Sequence, residues 1–85
     1  MEIIFSLNAA REIKKLEPYT RKRILCKLDE YRRNPALVEA DLKRLEGTSN
    51  PVQYRLRVGD YRLIAALDMD TVQVLHVFHR SKAYQ

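Results

Sequence analysis

The chain has 85 residues, 46% of them apolar, with five tyrosines, two phenylalanines and no tryptophan; this suits one modest core and a single domain over residues 1–85, and excludes disorder by composition. Its net charge of +5, from 16 Lys and Arg against 11 Asp and Glu, favours a polyanionic partner: nucleic acid, the ribosome or an acidic protein. The lone Cys26 excludes an internal disulfide and, with only His76 and His79 beside it, a zinc site, while the lack of a long apolar run or a basic leader points away from membrane and secretion and towards the reducing cytoplasm.

Glu2 to Leu7 alternates as a strand, with Ile3, Phe5 and Leu7 on one side. Asn8 offers an N-cap for a first helix whose buried face is Ala9, Ile13 and Leu16. Glu17-Pro18 breaks it, and a second helix runs from about Tyr19 to Arg33 on a stripe of Ile24, Leu25, Leu28 and Tyr31. So short a break predicts an antiparallel helical hairpin. Asn34-Pro35 ends the second helix, and residues 35–52 read as a connection with one helical turn at Ala40 to Leu45. Three strands follow, Gln53 to Val58, Tyr61 to Leu67 and Thr71 to His79, with turns at Gly59-Asp60 and Asp68-Met69-Asp70. The predicted class is α+β, in the order β-α-α-β-β-β, with the helical hairpin packed on a twisted antiparallel sheet.

The hairpin register carries the functional reading. A two-residue loop at Gly59-Asp60 pairs Val58 with Tyr61, Arg57 with Arg62 and Leu56 with Leu63. Directly opposite side chains share a face, so Leu56 and Leu63 turn to the helices while Arg55, Arg57 and Arg62 gather on the other side. Like charges across a ladder repel, and folding alone gives no reason to stack three of them. Either they solvate an open sheet face or they hold phosphate, whose oxygens match guanidinium forks. After the last strand, Arg80 can bind phosphate, His79 can shuttle a proton, and Tyr84 can act as a base or a stacking platform. Taken singly, a strand-end histidine or a terminal tyrosine reads equally well as a structural residue. His76, mid-strand among apolar residues, reads as structural. No glycine-rich phosphate loop, supported carboxylate pair or metal cluster is present in the sequence, so no cofactor is expected.

The block Leu42-Lys43-Arg44-Leu45-Glu46-Gly47, with Tyr54-Arg55-Leu56-Arg57-Val58-Gly59-Asp60-Tyr61-Arg62-Leu63-Ile64 behind it, resembles the central signature of RelE-type toxins of the RelE/ParE superfamily. His79-Arg80-Ser81-Lys82-Ala83-Tyr84 is similar to that family's closing element, and Ile4 to Ala10 with Lys14-Lys15-Leu16 to its opening strand and helix. The resemblance spans nearly the whole chain and is most specific in the hairpin block. It implies a microbial-RNase-like fold and a toxin of a type II toxin–antitoxin system. The activity implied is ribosome-dependent, metal-independent cleavage of mRNA in the A site, by attack of a 2′-OH on the adjacent phosphate.

Carried over, the strand base positions fall on Arg55 and Arg57, the phosphate clamp on Arg62, and the C-terminal pair on Arg80 and Tyr84, with His79 sharing acid–base work. Lys43, Arg44 and Lys82 are expected to join Arg57 in binding RNA. Gln53 stands where some members carry a lysine, and the Arg80-to-Tyr84 spacing is shorter than in some. The implied partners are a cognate antitoxin, the ribosome with its mRNA and, through the antitoxin, operator DNA. Two further readings of the same fold stay open: a ParE-like inhibitor that acts by binding DNA gyrase, and an inactive member that binds only antitoxin and operator.

Overall fold

The computed structural model describes residues 1–49 and 51–82. In chain order they form β1 (Glu2–Phe5), α1 (Leu7–Lys14), α2 (Pro18–Arg33), α3 (Ala36–Asp41), β2 (Leu42–Arg44), β3 (Gln53–Val58), β4 (Tyr61–Asp68) and β5 (Thr71–His79). The strands make one sheet in the order β1-β5-β4-β3-β2. The α+β class with helices on a sheet is as expected, but the sheet is mixed. β1 runs parallel to β5, while every other pairing is antiparallel. Parallel neighbours need a long crossover, and everything between β1 and β5 supplies it.

Local chemistry sets the first boundaries. Ser6, not Asn8, is the N-cap of α1: its backbone is extended, and its Oγ accepts the Ala9 N–H at 3.1 Å. The strand therefore ends at Phe5, and Leu7 becomes an exposed first-turn residue. Pro18 opens α2, where its missing N–H costs nothing, and the Glu17 carboxylate accepts from the Thr20 N–H and hydroxyl. Ile24, Leu28 and Tyr31 are buried at i, i+4 and i+7. Leu25 is not part of this stripe; one position round from Ile24, it is turned to solvent.

The helical turn expected at Ala40 to Leu45 lies earlier, in α3, and residues 42–44 are a strand instead. Leu42 is drawn opposite Leu56, whose burial outweighs the weak local preference of a Leu-Lys-Arg run. Tyr31, fully buried, donates its hydroxyl to Asp41 Oδ2 at 2.6 Å and so ties α2 to the start of β2.

The core lies between the helices and one face of the sheet. Ala9 and Ile13 of α1 and the α2 stripe meet Leu56, Val58, Leu63, Ala65, Val72, Val74 and Val77. Both helices cover this face: α1 packs on β5, and α2 reaches β1 and α3.

The β3–β4 register is the one expected, with Arg57 opposite Arg62 and Leu56 opposite Leu63. Gly59 has φ +57°, the left-handed region that favours glycine; a Cβ there would meet only the movable tip of the Arg23 side chain, 2.9 Å away, so it is the backbone that calls for glycine. In the second hairpin the loop is Met69-Asp70, and Met69 takes φ +51° while fully exposed.

One irregularity decides what faces what. From Asp68↔Thr71 to Ala65↔Val74 the β4–β5 register is that of a plain two-residue hairpin, but Ile64 then pairs with His76. Leu75 is the extra residue, a β-bulge, and it reverses the facing of everything after it in β5. The bulge is held from α1: the Ser6 hydroxyl donates to the Leu75 carbonyl at 2.9 Å, and Glu12 accepts the Val77 N–H at 3.0 Å. His76 Nδ1 lies 3.6 Å from the same Glu12 carboxylate, in keeping with a structural histidine.

Candidate functional site

Among the described residues, no helix covers the face of β3 and β4 that lies away from α1 and α2. By pairing, Arg55, Arg57, Arg62, Ile64 and Lys43 stand on it, since Lys43 is opposite Arg55, Arg55 opposite Ile64, and Arg57 opposite Arg62. Phe78, brought round by the bulge, is opposite Arg62. Arg55, Arg57, Arg62, Arg80 and Lys82 line one cavity of about 450 Å³, with Leu45, Ile64 and Phe78 between them. Lys43 lines an adjoining recess of about 380 Å³ with Asp41, Leu42, Arg55 and Arg57.

The cations are held in different ways. One Arg62 terminal nitrogen donates to the carbonyls of Gly59, at 3.1 Å, and Tyr61, at 3.0 Å, so the hairpin loop itself orients this guanidinium. Arg80 donates its backbone N–H to the Asp60 carbonyl at 2.7 Å, and its Nε is 3.6 Å from the Asp60 carboxylate. Among the described residues no carboxylate forms an ion pair with Arg55, Arg57 or Arg62. Desolvation, then the charges of Arg57, Arg55 and Arg80, hold the Arg62 guanidinium below the usual arginine range, with Asp60 acting the other way. It stays a cation at neutral pH. A concave surface with this much unneutralised positive charge is built to take anions, and its guanidinium forks suit phosphate oxygens.

Two expected members, His79 and Arg44, stand elsewhere. His79 lies on the opposite, helix-covered side: the bulge at Leu75 turns it to pair with Tyr61, against whose ring it sits edge-on at 5.3 Å. Its Nδ1 accepts the Ser81 N–H at 3.1 Å, which leaves Nε2 as the proton-bearing nitrogen of the neutral ring. It lines a separate recess of about 250 Å³ with Tyr19, Thr20, Arg23 and Tyr61. Arg44 is set off the arginine face by strand alternation: opposite Tyr54, it turns away from Lys43 and sits exposed at the sheet edge. Tyr84 lies outside the described residues.

The sequence reading missed Leu45, Ile64 and Phe78. Counting back through the hairpin would have placed Ile64 on the arginine face, since it pairs with Arg55. Nothing local would have placed Phe78, because unbroken counting from the Met69-Asp70 loop sets Val77 opposite Arg62. A larger groove of about 640 Å³ runs along the outer face of α2, from Pro18 to Arg33. It mixes Arg21, Lys22 and Arg33 with Asp29 and Glu30, and Asp29 is already paired with Arg32 and Arg33. It offers no convergent set of one charge.

Comparison with known proteins agrees with the fold and with the resemblance. The family described as ParE toxin of the type II toxin–antitoxin system parDE matches residues 3–84. Toxin RelE3 of Methanocaldococcus jannaschii is 30% identical, over 99% of this chain and 96% of that toxin. The archaeal RelE–RelB complex from Pyrococcus horikoshii contains a chain with TM-score 0.74 and 26% identity, covering 96% of this chain and 97% of its own length. The intact Escherichia coli RelBE toxin–antitoxin complex contains one with TM-score 0.68 and 28% identity, covering 99% and 98%. The fold, the hairpin signature and these matches together make the chain a member of the RelE/ParE superfamily of type II toxin–antitoxin toxins.

Proposed function

We propose that this toxin is a metal-independent endoribonuclease that cuts mRNA on the ribosome. The observation that carries the reading is the cluster of Arg55, Arg57, Arg62, Arg80 and Lys82 around one open cavity, with Arg62 aimed by loop carbonyls. In the reaction, the 2′-OH of the message forms a bond to the adjacent phosphorus while the bond from phosphorus to the 5′-oxygen breaks. The products are a 2′,3′-cyclic phosphate and a 5′-OH. Negative charge builds on the phosphate oxygens as the phosphorane forms. Guanidinium groups fixed around that point stabilise it without having to reorganise. Arg62 is the clamp, Arg55 and Arg57 bear on the same phosphate from the next strand, and Arg80 comes from the end of β5. The family resemblance makes Tyr84, which lies outside the described residues, the base that takes the 2′-OH proton.

The partner is an antitoxin. The solved relatives include RelE–RelB complexes, which supports a cognate antitoxin; on our reading its carboxylates neutralise the arginine face. Operator DNA would be reached through that antitoxin, and the cytoplasm is where both ribosome and message are found.

The match to a family described as ParE toxin favours a second reading, inhibition of DNA gyrase by binding. A cell-free translation extract separates the two. On the nuclease reading, the toxin cuts ribosome-bound message, and Arg62→Ala lowers cleavage by roughly 100-fold or more. Intact message with failed supercoiling would replace it with the gyrase reading.

A further inference from the structure

The cationic cavity has an apolar floor that phosphate chemistry does not require. Ile64 is 1% exposed although it stands on the face away from the helices, and Phe78 and Leu45 join it in lining the space between the arginines. The placement of Phe78 depends on the bulge at Leu75, a local break in the ladder that Ser6 and Glu12 hold from α1. With a regular register, Val77 would face the arginines and Phe78 the core. Bulges recur beside functional sites because they re-aim side chains in this way.

Building on the nuclease reading, we infer that the Phe78 ring, which lines the cavity together with Ile64 and Leu45, receives a base of the codon being cut, while the arginines hold the phosphate next to that base. A nucleotide is the ligand that joins a flat π-face to an anionic group within a few ångströms, and aromatic rings beside basic side chains are how single-stranded RNA is gripped. The cavity volume, about 450 Å³, falls in the range of small-ligand sites. An acidic antitoxin side chain is the other chemistry that fits a cationic cavity. It brings carboxylates but has no need of an aromatic wall directly across from the clamping arginine. Phe78 is thus a substrate-positioning residue, and stacking on it sets which base is held beside the cut.

The test uses ribosomes programmed with a message whose A-site codon is abasic at each of its three positions in turn. Single-turnover cleavage is followed for the unmodified toxin, Phe78→Ala and Phe78→Tyr. One abasic position is expected to slow the unmodified toxin roughly 10- to 100-fold, the range for losing one base–aromatic stack. Phe78→Ala should slow cleavage of the normal message by a similar factor, add little on that abasic message, and be rescued by Phe78→Tyr. If every abasic message is cut within about 2-fold of the normal one, the base subsite is wrong and the floor belongs to the antitoxin. If Phe78→Ala loses as much on the abasic message as on the normal one, the residue acts through structure and the inference also falls. The comparison of messages on the unmodified toxin needs no variant to fold. Failure of the unmodified toxin to cut the normal message would refute the nuclease reading itself, and this inference with it.

Discussion

Tyr31→Phe should expose how β2, and Lys43 with it, is tied to the rest of the molecule. The ring is 1% exposed and phenylalanine refills its space, so no cavity forms. What is lost is the 2.6 Å hydrogen bond to Asp41 Oδ2. Hydrogen bonds to charged groups contribute about 1.5–3 kcal/mol, and here the exposed Asp41 carboxylate regains water, so about 1–2 kcal/mol is expected at neutral pH. In a chain of this size that lowers Tm by roughly 5–10 °C.

The same pair makes a pH prediction. Burial, then the bond to Asp41 and its charge, raise the Tyr31 hydroxyl well above the usual tyrosine range. The folded state therefore keeps this proton where the unfolded chain releases it. The contribution is complete below about pH 10 and declines as pH rises, by about 1.4 kcal/mol per pH unit. Urea unfolding of both proteins from pH 7 to 11 reads the difference directly. The advantage of the unmodified protein should hold to about pH 10 and then shrink, vanishing about one unit higher. An advantage that is absent at pH 7, or that stays constant to pH 11, would show that the bond to Asp41 is not what Tyr31 contributes.

Three further outcomes follow from the geometry. Met69→Gly relieves a left-handed backbone at a fully exposed side chain and should stabilise by about 0.5–1 kcal/mol, read as a higher urea midpoint; a lower midpoint would contradict it. Arg57→Gln removes one of the crowded cations and should raise Tm by a few degrees at low salt, the gain fading near 1 M salt, while cleavage falls at least about 10-fold; a gain that persists at high salt would show that repulsion is not its cause. His79→Ala should leave cleavage within about 10-fold, because the ring lies across the sheet from the arginines; a loss of 100-fold or more, typical of a proton-transfer group, would place it in the reaction.

What was legible in the sequence tracks how local each signal is. The Gly59-Asp60 loop sets the β3–β4 register on its own, so the arginine face could be read residue by residue. The boundaries of β3 and β5 were read correctly for the same reason, as alternation bounded by turn residues. β2 was missed because three residues rich in charge become a strand only when Leu56 is opposite, a contact the local sequence does not announce. The parallel pairing of β1 likewise depends on a partner some seventy residues away. The bulge had the largest consequence. One extra residue at Leu75 moved His79 off the arginine face and brought Phe78 onto it, and its supports, Ser6 and Glu12, sit in a different part of the chain.

On the proposed reading, the arginine cavity promotes attack by the message's own 2′-OH. That attack is tested most directly with a ribosome-bound message carrying a single 2′-deoxy nucleotide at the cut position. Cleavage there should stop, while the all-ribose message yields a 2′,3′-cyclic phosphate and a 5′-OH. Cutting that continues at the deoxy position would contradict the mechanism.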